Sequence, residues 1–219
     1  MTQNTSRRAM LVAAERIVAE RGMPALTLKD VQLAANQANK SAAKYHFGSR
    51  DGLIEALVEL RMTPVNARRQ ELLDEIGRLG GPPTVRQAVE ALVRPLAAET
   101  LGRPGSRYAR FLVQALFDPA LADMIQKHLR AETYRRVHHM LIDLCPTRGD
   151  IAKWRADTVV TLGMTTLAAH EGRDRTQQQT AAIIADLVDT CVAVLEAPTS
   201  VPHSTPDSTE HTDPQGVSL

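Results

Sequence analysis

Apolar residues recur along most of the chain at the three- and four-residue spacing of an amphipathic helix. Ala9, Val12 and Ile17 mark the first such segment, over residues 8–21, and Gly22 follows as a residue suited to end it. Further segments lie at about residues 28–35, 41–47, 51–78, 84–101, 106–117, 119–144, 150–172 and 176–196. The pattern therefore predicts an all-α protein of about nine helices.

The boundaries of the first helices outline a helix-turn-helix. Thr27 and Asp30 form a capping-box-like start for the second helix, and Asn36 suits its end because asparagine adopts positive φ at modest cost. The short third helix is then the recognition helix. Ser49 opens the fourth helix, in which Pro64 is expected to cause a kink or a break and to mark a hinge.

The last two helices are apolar on more than one face, unlike ordinary surface helices. One interpretation is a fully buried hairpin within a monomer. The favoured one is a homodimer through a four-helix, two-fold interface, because the chain offers little else to cover both faces. The segment 197–219 contains four prolines and eight Ser/Thr without an aromatic residue, and it is predicted to be a disordered tail.

Composition narrows the protein class. Only 3 % of residues are aromatic, and no apolar run approaches the roughly 20 residues that span a bilayer. Charged residues interrupt the N-terminal segment, so it is not expected to be a signal peptide. Cys145 and Cys191 are far apart, as expected for a protein of the reducing cytoplasm without membrane partners.

Charge is unevenly distributed along the chain. Residues 1–50 carry eight Lys/Arg against three Asp/Glu, a formal charge of +5, whereas the remaining 169 residues carry −4. A basic N-terminal segment on a slightly acidic body favours contact with a polyanion.

The stretch 41–53 holds the densest group of reactive side chains. No set of nucleophile, base and orienting group occurs there, and the nearby acids Asp51 and Glu55 suit a helix start, so a catalytic role is not predicted. Cations and hydroxyl groups would instead bind phosphates, while small residues would face base edges and Ala43 and Phe47 would pack inward. The predicted DNA contacts are Thr27, Lys29, Lys40, Ser41, Ala42, Lys44, Tyr45, His46 and Arg50.

Other polar side chains on the larger helices could belong to a small-molecule site. Gln114, Tyr134, His138 and Trp154 stand on or beside apolar faces and are the candidate ligand contacts in a cavity between helices. The pairs His139–Asp143 and His170–Asp174 have metal-ligand spacing, but two ligands do not complete a metal site. No metal and no cofactor are predicted.

The N-terminal 60 residues resemble the DNA-binding domain of TetR-family transcriptional regulators. The features that carry the resemblance are Arg21-Gly22 after an apolar helix, the helix start at 27–31, Tyr45-His46-Phe47, and the run Gly48-Ser49-Arg50-Asp51-Gly52-Leu53. The chain departs from the family in having Asn36 where a glycine is usual, a turn longer by one residue, and Lys44 before Tyr45.

The resemblance implies residues 1–50 as a DNA-binding domain and residues 51–196 as a ligand-binding and dimerisation domain. It also implies a homodimeric repressor that a small-molecule effector releases from a palindromic operator. The alternative function is a helical small-molecule-binding or adaptor protein that does not bind DNA.

Overall fold

The structure is a computed structural model that describes residues 2–39, 41–119, 121 and 131–200. Within these residues the chain forms nine α-helices, one 3₁₀ helix (Met23–Ala25) and no strand, which confirms the predicted all-α fold. The helices are α1 (Thr2–Arg21), α2 (Leu28–Ala34), α3 (Ala42–Phe47), α4 (Arg50–Arg78), α5 (Val85–Thr100), α6 (Tyr108–Leu116), α7 (Glu132–Leu144), α8 (Asp150–His170) and α9 (Gln177–Glu196).

Side-chain caps fix where several helices begin. Thr84 and Thr176 each accept a hydrogen bond from the backbone of a glutamine three residues later, and that glutamine bonds back to the threonine amide. Ser49 caps α4 by accepting from Gly52 N at 3.0 Å, and Thr27 caps α2 in the same way with Asp30. Such caps satisfy amides that otherwise lack a partner within the helix.

Two helices differ from the sequence prediction, and one predicted segment is only partly described. Helix α1 already begins at Thr2, and α4 continues without a break through Pro64. Only the second half of the segment predicted over 119–144 is described, as α7, because residues 120 and 122–130 lie outside the described residues. Most of the tail predicted to be disordered, residues 201–219, also lies outside them.

Two hydrophobic clusters form the interior. The first joins α1–α3 and the beginning of α4, here called the head, to α6 through residues such as Tyr108 and Phe111. The second lies among α5, α7, α8 and α9, which with the rest of α4 and α6 form the body. Because α1 packs directly on α6, the head and the body share an apolar interior instead of being joined only by a linker.

Helix α9 is long and apolar enough to cross a membrane by length and composition alone, which the pattern of apolar runs did not predict. It packs on α5 and α8 through Leu187, Val188, Cys191 and Leu195. Its polar start and its exposed Asp186 and Asp189 instead fit a helix with one side in the body and the other exposed.

Candidate DNA-binding surface and ligand cavity

The turn between α2 and α3 is built around Asn36. This residue has φ 52°, the left-handed conformation that asparagine tolerates better than most residues. Asn36 N donates to Leu33 O at 3.0 Å and Gln37 N donates to Gln32 O at 3.1 Å, the two bonds of a Schellman motif. Asn36 therefore occupies the position where a glycine is usual and ends α2 as predicted.

Buried side chains hold α3 in place. Ala43 and Phe47 are buried, as predicted, and Ala43 N donates to Gln32 Oε1 at 3.4 Å across to α2. Gly48 follows with φ 70°. A side chain at Gly52 would collide with the backbone oxygen of Phe47, so α4 starts too close to α3 for any other residue.

The outer side of the head carries most of the predicted DNA contacts. On and beside α3, Ser41 and Lys44 are exposed, the Tyr45 side chain is 74 % exposed, and His46 is half-buried. At the start of α2, Thr27 and Lys29 are exposed. These six residues together present cations, hydroxyl groups and an imidazole to the solvent.

Two members of the predicted contact set differ from the prediction, and a third is not described. Ala42 was expected to face base edges, but it is buried in the first cluster. Arg50 was expected to bind phosphate, but its Nε donates to Leu26 O at 3.1 Å and its Nη2 to Met23 O at 3.0 Å, which ties α4 to the 3₁₀ helix. Lys40 lies outside the described residues.

A cavity of about 50 Å³ lies in the body. It is lined from α4 to α8, almost entirely by apolar side chains. The lining residues are Val58, Met62, Arg69, Leu92, Val93, Leu96, Leu112, Leu116, Tyr134, Val160, Gly163, Met164 and Leu167. A cavity needs only about 10–15 Å³ on this measure to hold one water, so this one has room for a small organic group.

The four candidate ligand residues are not brought together. Tyr134 lines the cavity, and His138 stacks on its ring at 5.8 Å while bonding Asp157 Oδ1 at 2.9 Å. Gln114 is exposed on α6, and Trp154 is 64 % exposed on α8. Neither of these two lines the cavity, so only Tyr134 of the four is in position to touch a ligand there.

Arg69 is a cavity residue that sequence reasoning missed. Its side chain is buried, and Nε donates to Ala91 O at 3.3 Å, while Nη1 donates to Asn66 Oδ1 at 2.7 Å. Ala91 O is available because Pro95, four residues later in α5, has no amide hydrogen to donate. Burial lowers the pKa of Arg69 to about 10, so the group remains protonated at neutral pH.

The beginning of α6 is fixed by a carboxylate from the end of α8. Glu171 is fully buried and accepts from Ser106 Oγ at 2.7 Å and from the amides of Ala109 and Arg110, both at 3.1 Å. A carboxylate at a helix N-terminus satisfies free amides and complements the helix dipole. Any shift of α8 is therefore transmitted to α6, which packs on α1.

No family model and no curated protein sequence matches the chain. Two solved structures resemble it over most of its length. One, described as a TetR-family transcriptional regulator from Rhodococcus sp., has a TM-score of 0.51 at 18 % identity and covers 86 % of this chain and 99 % of its own. The other, described likewise and from Mesorhizobium loti, has a TM-score of 0.51 at 13 % identity and covers 89 % and 98 %. The chain therefore has the fold of TetR-family transcriptional regulators.

Proposed function

We propose that the chain is a TetR-family transcriptional regulator that binds double-stranded DNA through α3. The observation that carries this proposal is the placement of α3. The Asn36 turn and three buried side chains hold it at the surface of a basic head, with Ser41, Lys44 and Tyr45 facing outward. A short helix held in this way can enter the major groove of DNA.

Each exposed group then has a role set by its chemistry. Lys44 and Lys29 neutralise phosphates, and the Tyr45 hydroxyl and the His46 ring donate to phosphate oxygens and fix the register. Ser41, at the N-terminal end of α3, is the residue that reaches base edges. Thr27 caps α2, whose first amides also attract phosphate.

We propose that the chain acts as a homodimer through α8 and α9. Trp154 and Thr158 are exposed on α8, Thr161 and Thr165 are half-buried on the same helix, and small residues such as Ala185 are exposed on α9. Only about a fifth of the most apolar segment of α9 is buried within one chain. Small outward residues let helices approach closely, and a two-fold pair would read half-sites about 34–36 Å apart.

An effector would act through the cavity as a switch that releases a repressor from DNA. Val58, Met62 and Arg69 of the cavity wall belong to α4, whose N-terminus is tied to the head by Arg50. A ligand that moves α4 or α8 would change the separation of the two heads. Such a ligand would bind the DNA-bound and the released states with different affinities. The regulator would work in the cytoplasm, where the buried thiols of Cys145 and Cys191 stay reduced.

Fluorescence anisotropy with the DNA upstream of the chain's own gene tests the DNA-binding role. We expect nanomolar affinity that falls with salt, and Lys44→Ala should lower the slope of log affinity against log salt by about one for each phosphate that is no longer neutralised. Arg94→Ala is the matched control, because Arg94 is an exposed cation on α5 paired with Glu90, away from the head. Unchanged salt dependence in Lys44→Ala would contradict the role given to α3. A wild-type chain without salt-dependent DNA binding would support the alternative, a helical ligand-binding or adaptor protein that does not contact DNA.

A further inference from the structure

The cavity in the body has an uneven chemistry. Eleven of its thirteen lining residues are apolar or glycine, and the two others, Arg69 and Tyr134, belong to α4 and α7. The Arg69 guanidinium carbon lies 5.8 Å from the centre of the Tyr134 ring. The cavity wall is therefore apolar except for one small polar region that carries a positive charge.

Among the residues that the structure describes, Arg69 has only uncharged partners. Its relative exposure is 2 %, and its contacts are a backbone carbonyl, the Asn66 side-chain oxygen and the face of Tyr134. Among the described residues no carboxylate pairs with it. A buried cation normally has an anionic partner, because neutral groups only partly replace the water that it loses.

The fold does not need a charge at this position. The carbonyl that Pro95 leaves free requires one donor, and a neutral side chain could supply it. The guanidinium has five N–H groups, of which described protein atoms accept from two, so donors remain for a further acceptor.

Tyr134 supplies a second donor. Burial raises the pKa of its hydroxyl to about 12, so it stays protonated and can donate a hydrogen bond. The Tyr134 ring also stacks on His138, which bonds to Asp157, and this contact restricts the ring orientation. One guanidinium and one phenol match a single carboxylate better than a doubly charged phosphate.

The remaining wall fits an apolar chain or ring. Met62 and Met164 are flexible side chains that can move aside to enlarge the cavity. A Cβ atom at Gly163 would meet nothing within 4 Å, so the glycine leaves space beside the cavity that a larger side chain would fill.

We propose that the cavity binds an amphipathic monocarboxylate, with the carboxylate on Arg69 and Tyr134 and the apolar part among Met62, Leu92 and Met164. This ligand class deepens the effector role proposed above and rests on it. Binding would supply the anion that Arg69 lacks and would connect α4 to α7 through one ligand.

Calorimetric titration of the full chain with three probes of equal length tests the charge preference. Hexanoate should bind at least tenfold more tightly than hexan-1-ol, and hexylammonium should not bind. Equal affinity for the acid and the alcohol, or no binding of hexanoate, would overturn the proposal.

Substitutions in the cavity wall test whether the preference for the carboxylate arises in the cavity. Arg69→Gln should lower hexanoate affinity at least tenfold while leaving hexan-1-ol binding unchanged, and Tyr134→Phe, which conserves the ring, should lower hexanoate affinity severalfold. Arg68→Gln is the matched control, because Arg68 is an exposed neighbour on α4 paired with Glu71. Gly163→Leu should abolish binding of both probes. Hexanoate binding that survives in both Arg69→Gln and Gly163→Leu would place the ligand elsewhere and overturn the proposal.

These titrations contain no DNA, so they separate the ligand class from the regulatory role. Specific DNA binding without any response to hexanoate in the titration would leave the proposed function intact and refute the ligand class. Hexanoate binding that meets these criteria in a chain that never binds DNA would support the ligand class and refute the proposed function.

Discussion

Glu15 of α1 and Arg61 of α4 form a bidentate buried ion pair, with Arg61 Nε 2.8 Å from Glu15 Oε2 and Nη2 2.8 Å from Oε1. Arg61 Nη2 also donates to Ser106 Oγ at 3.0 Å, and Glu15 Oε1 accepts from Arg107 N at 2.6 Å. Since Ser106 in turn donates to Glu171, one chain of hydrogen bonds links the head to α4, α6 and the end of α8.

The first prediction concerns this pair. Arg61→Met should lower the free energy of unfolding by about 3–5 kcal/mol, because it leaves a buried carboxylate without its cation. The double variant Glu15→Gln with Arg61→Met should be more stable than Arg61→Met alone, since the glutamine oxygen still accepts from Arg107 N and position 15 no longer carries a buried charge. Urea denaturation monitored by circular dichroism measures both, and a double variant no more stable than the single one would contradict the explanation.

The second prediction concerns the turn before α3. Asn36→Ala should cost about 1–2 kcal/mol of stability. A residue that has a Cβ atom but no side chain able to form a local hydrogen bond is strained at positive φ. Asn36→Gly should be close to neutral, since glycine adopts this conformation freely. Thermal melts of the two variants distinguish strain in the turn from loss of the asparagine side chain, for in the latter case both variants would be equally destabilised.

The third prediction concerns alkaline pH. Burial raises the pKa of Tyr108 above its ordinary value and that of Cys191 to about 11. The folded chain therefore keeps protons that the unfolded chain releases above about pH 9–10, so stability should fall as pH rises through this range. The lowered pKa of Arg69 opposes this loss of stability at high pH, whereas the raised pKa of Tyr134 adds to it.

Tyr108→Phe checks this assignment. The Tyr108 hydroxyl is buried and has no hydrogen-bond partner among the described residues, so its removal should raise stability at pH 7 by about 1 kcal/mol. The decline of stability between pH 9 and pH 11 should also become shallower. Urea denaturation at several pH values provides the measurement, and an unchanged decline would assign the pH dependence to other groups.

The fourth prediction concerns association. Ala185 is exposed on α9, so Ala185→Arg should convert the proposed dimer to a folded monomer in light scattering. Ala67→Arg on the exposed side of α4 should leave the dimer intact as a matched control. Leu187, which like Ala185 lies on α9, is 2 % exposed within one chain, so a charged replacement there would test folding instead. A monomeric wild-type chain would refute the proposed interface.

Local signals predicted the helices well because their causes lie within a few residues. The caps at Thr84 and Ser49 and the positive φ of Asn36 depend on neighbouring atoms, and the sequence displays them. The role of Arg50 was not predictable in this way, because its acceptors lie on Met23 and Leu26, more than twenty residues earlier. For this reason the sequence indicated that the Arg50 guanidinium would be free to bind phosphate.

The cavity was equally hidden from sequence reasoning. Arg69 follows Arg68 in a charged stretch, and nothing local shows that one of the two is exposed and the other buried. The difference depends on how α4 packs against α5, where the carbonyl of Ala91 is free because of Pro95. Tyr134 was found because it stands on an apolar face of its own helix, whereas Gln114 and Trp154 stand beside apolar residues but outside the packed interior.

The shared apolar interior of head and body limits how such a protein can diversify. Residues 1–50 transplanted onto an unrelated body would lose Phe111 and Ala115 of the cluster that buries Leu11 and Ile17. If α3 binds DNA as proposed, a change of operator preference is therefore easier to reach by exchanging exposed residues on α3 than by transplanting the whole N-terminal segment.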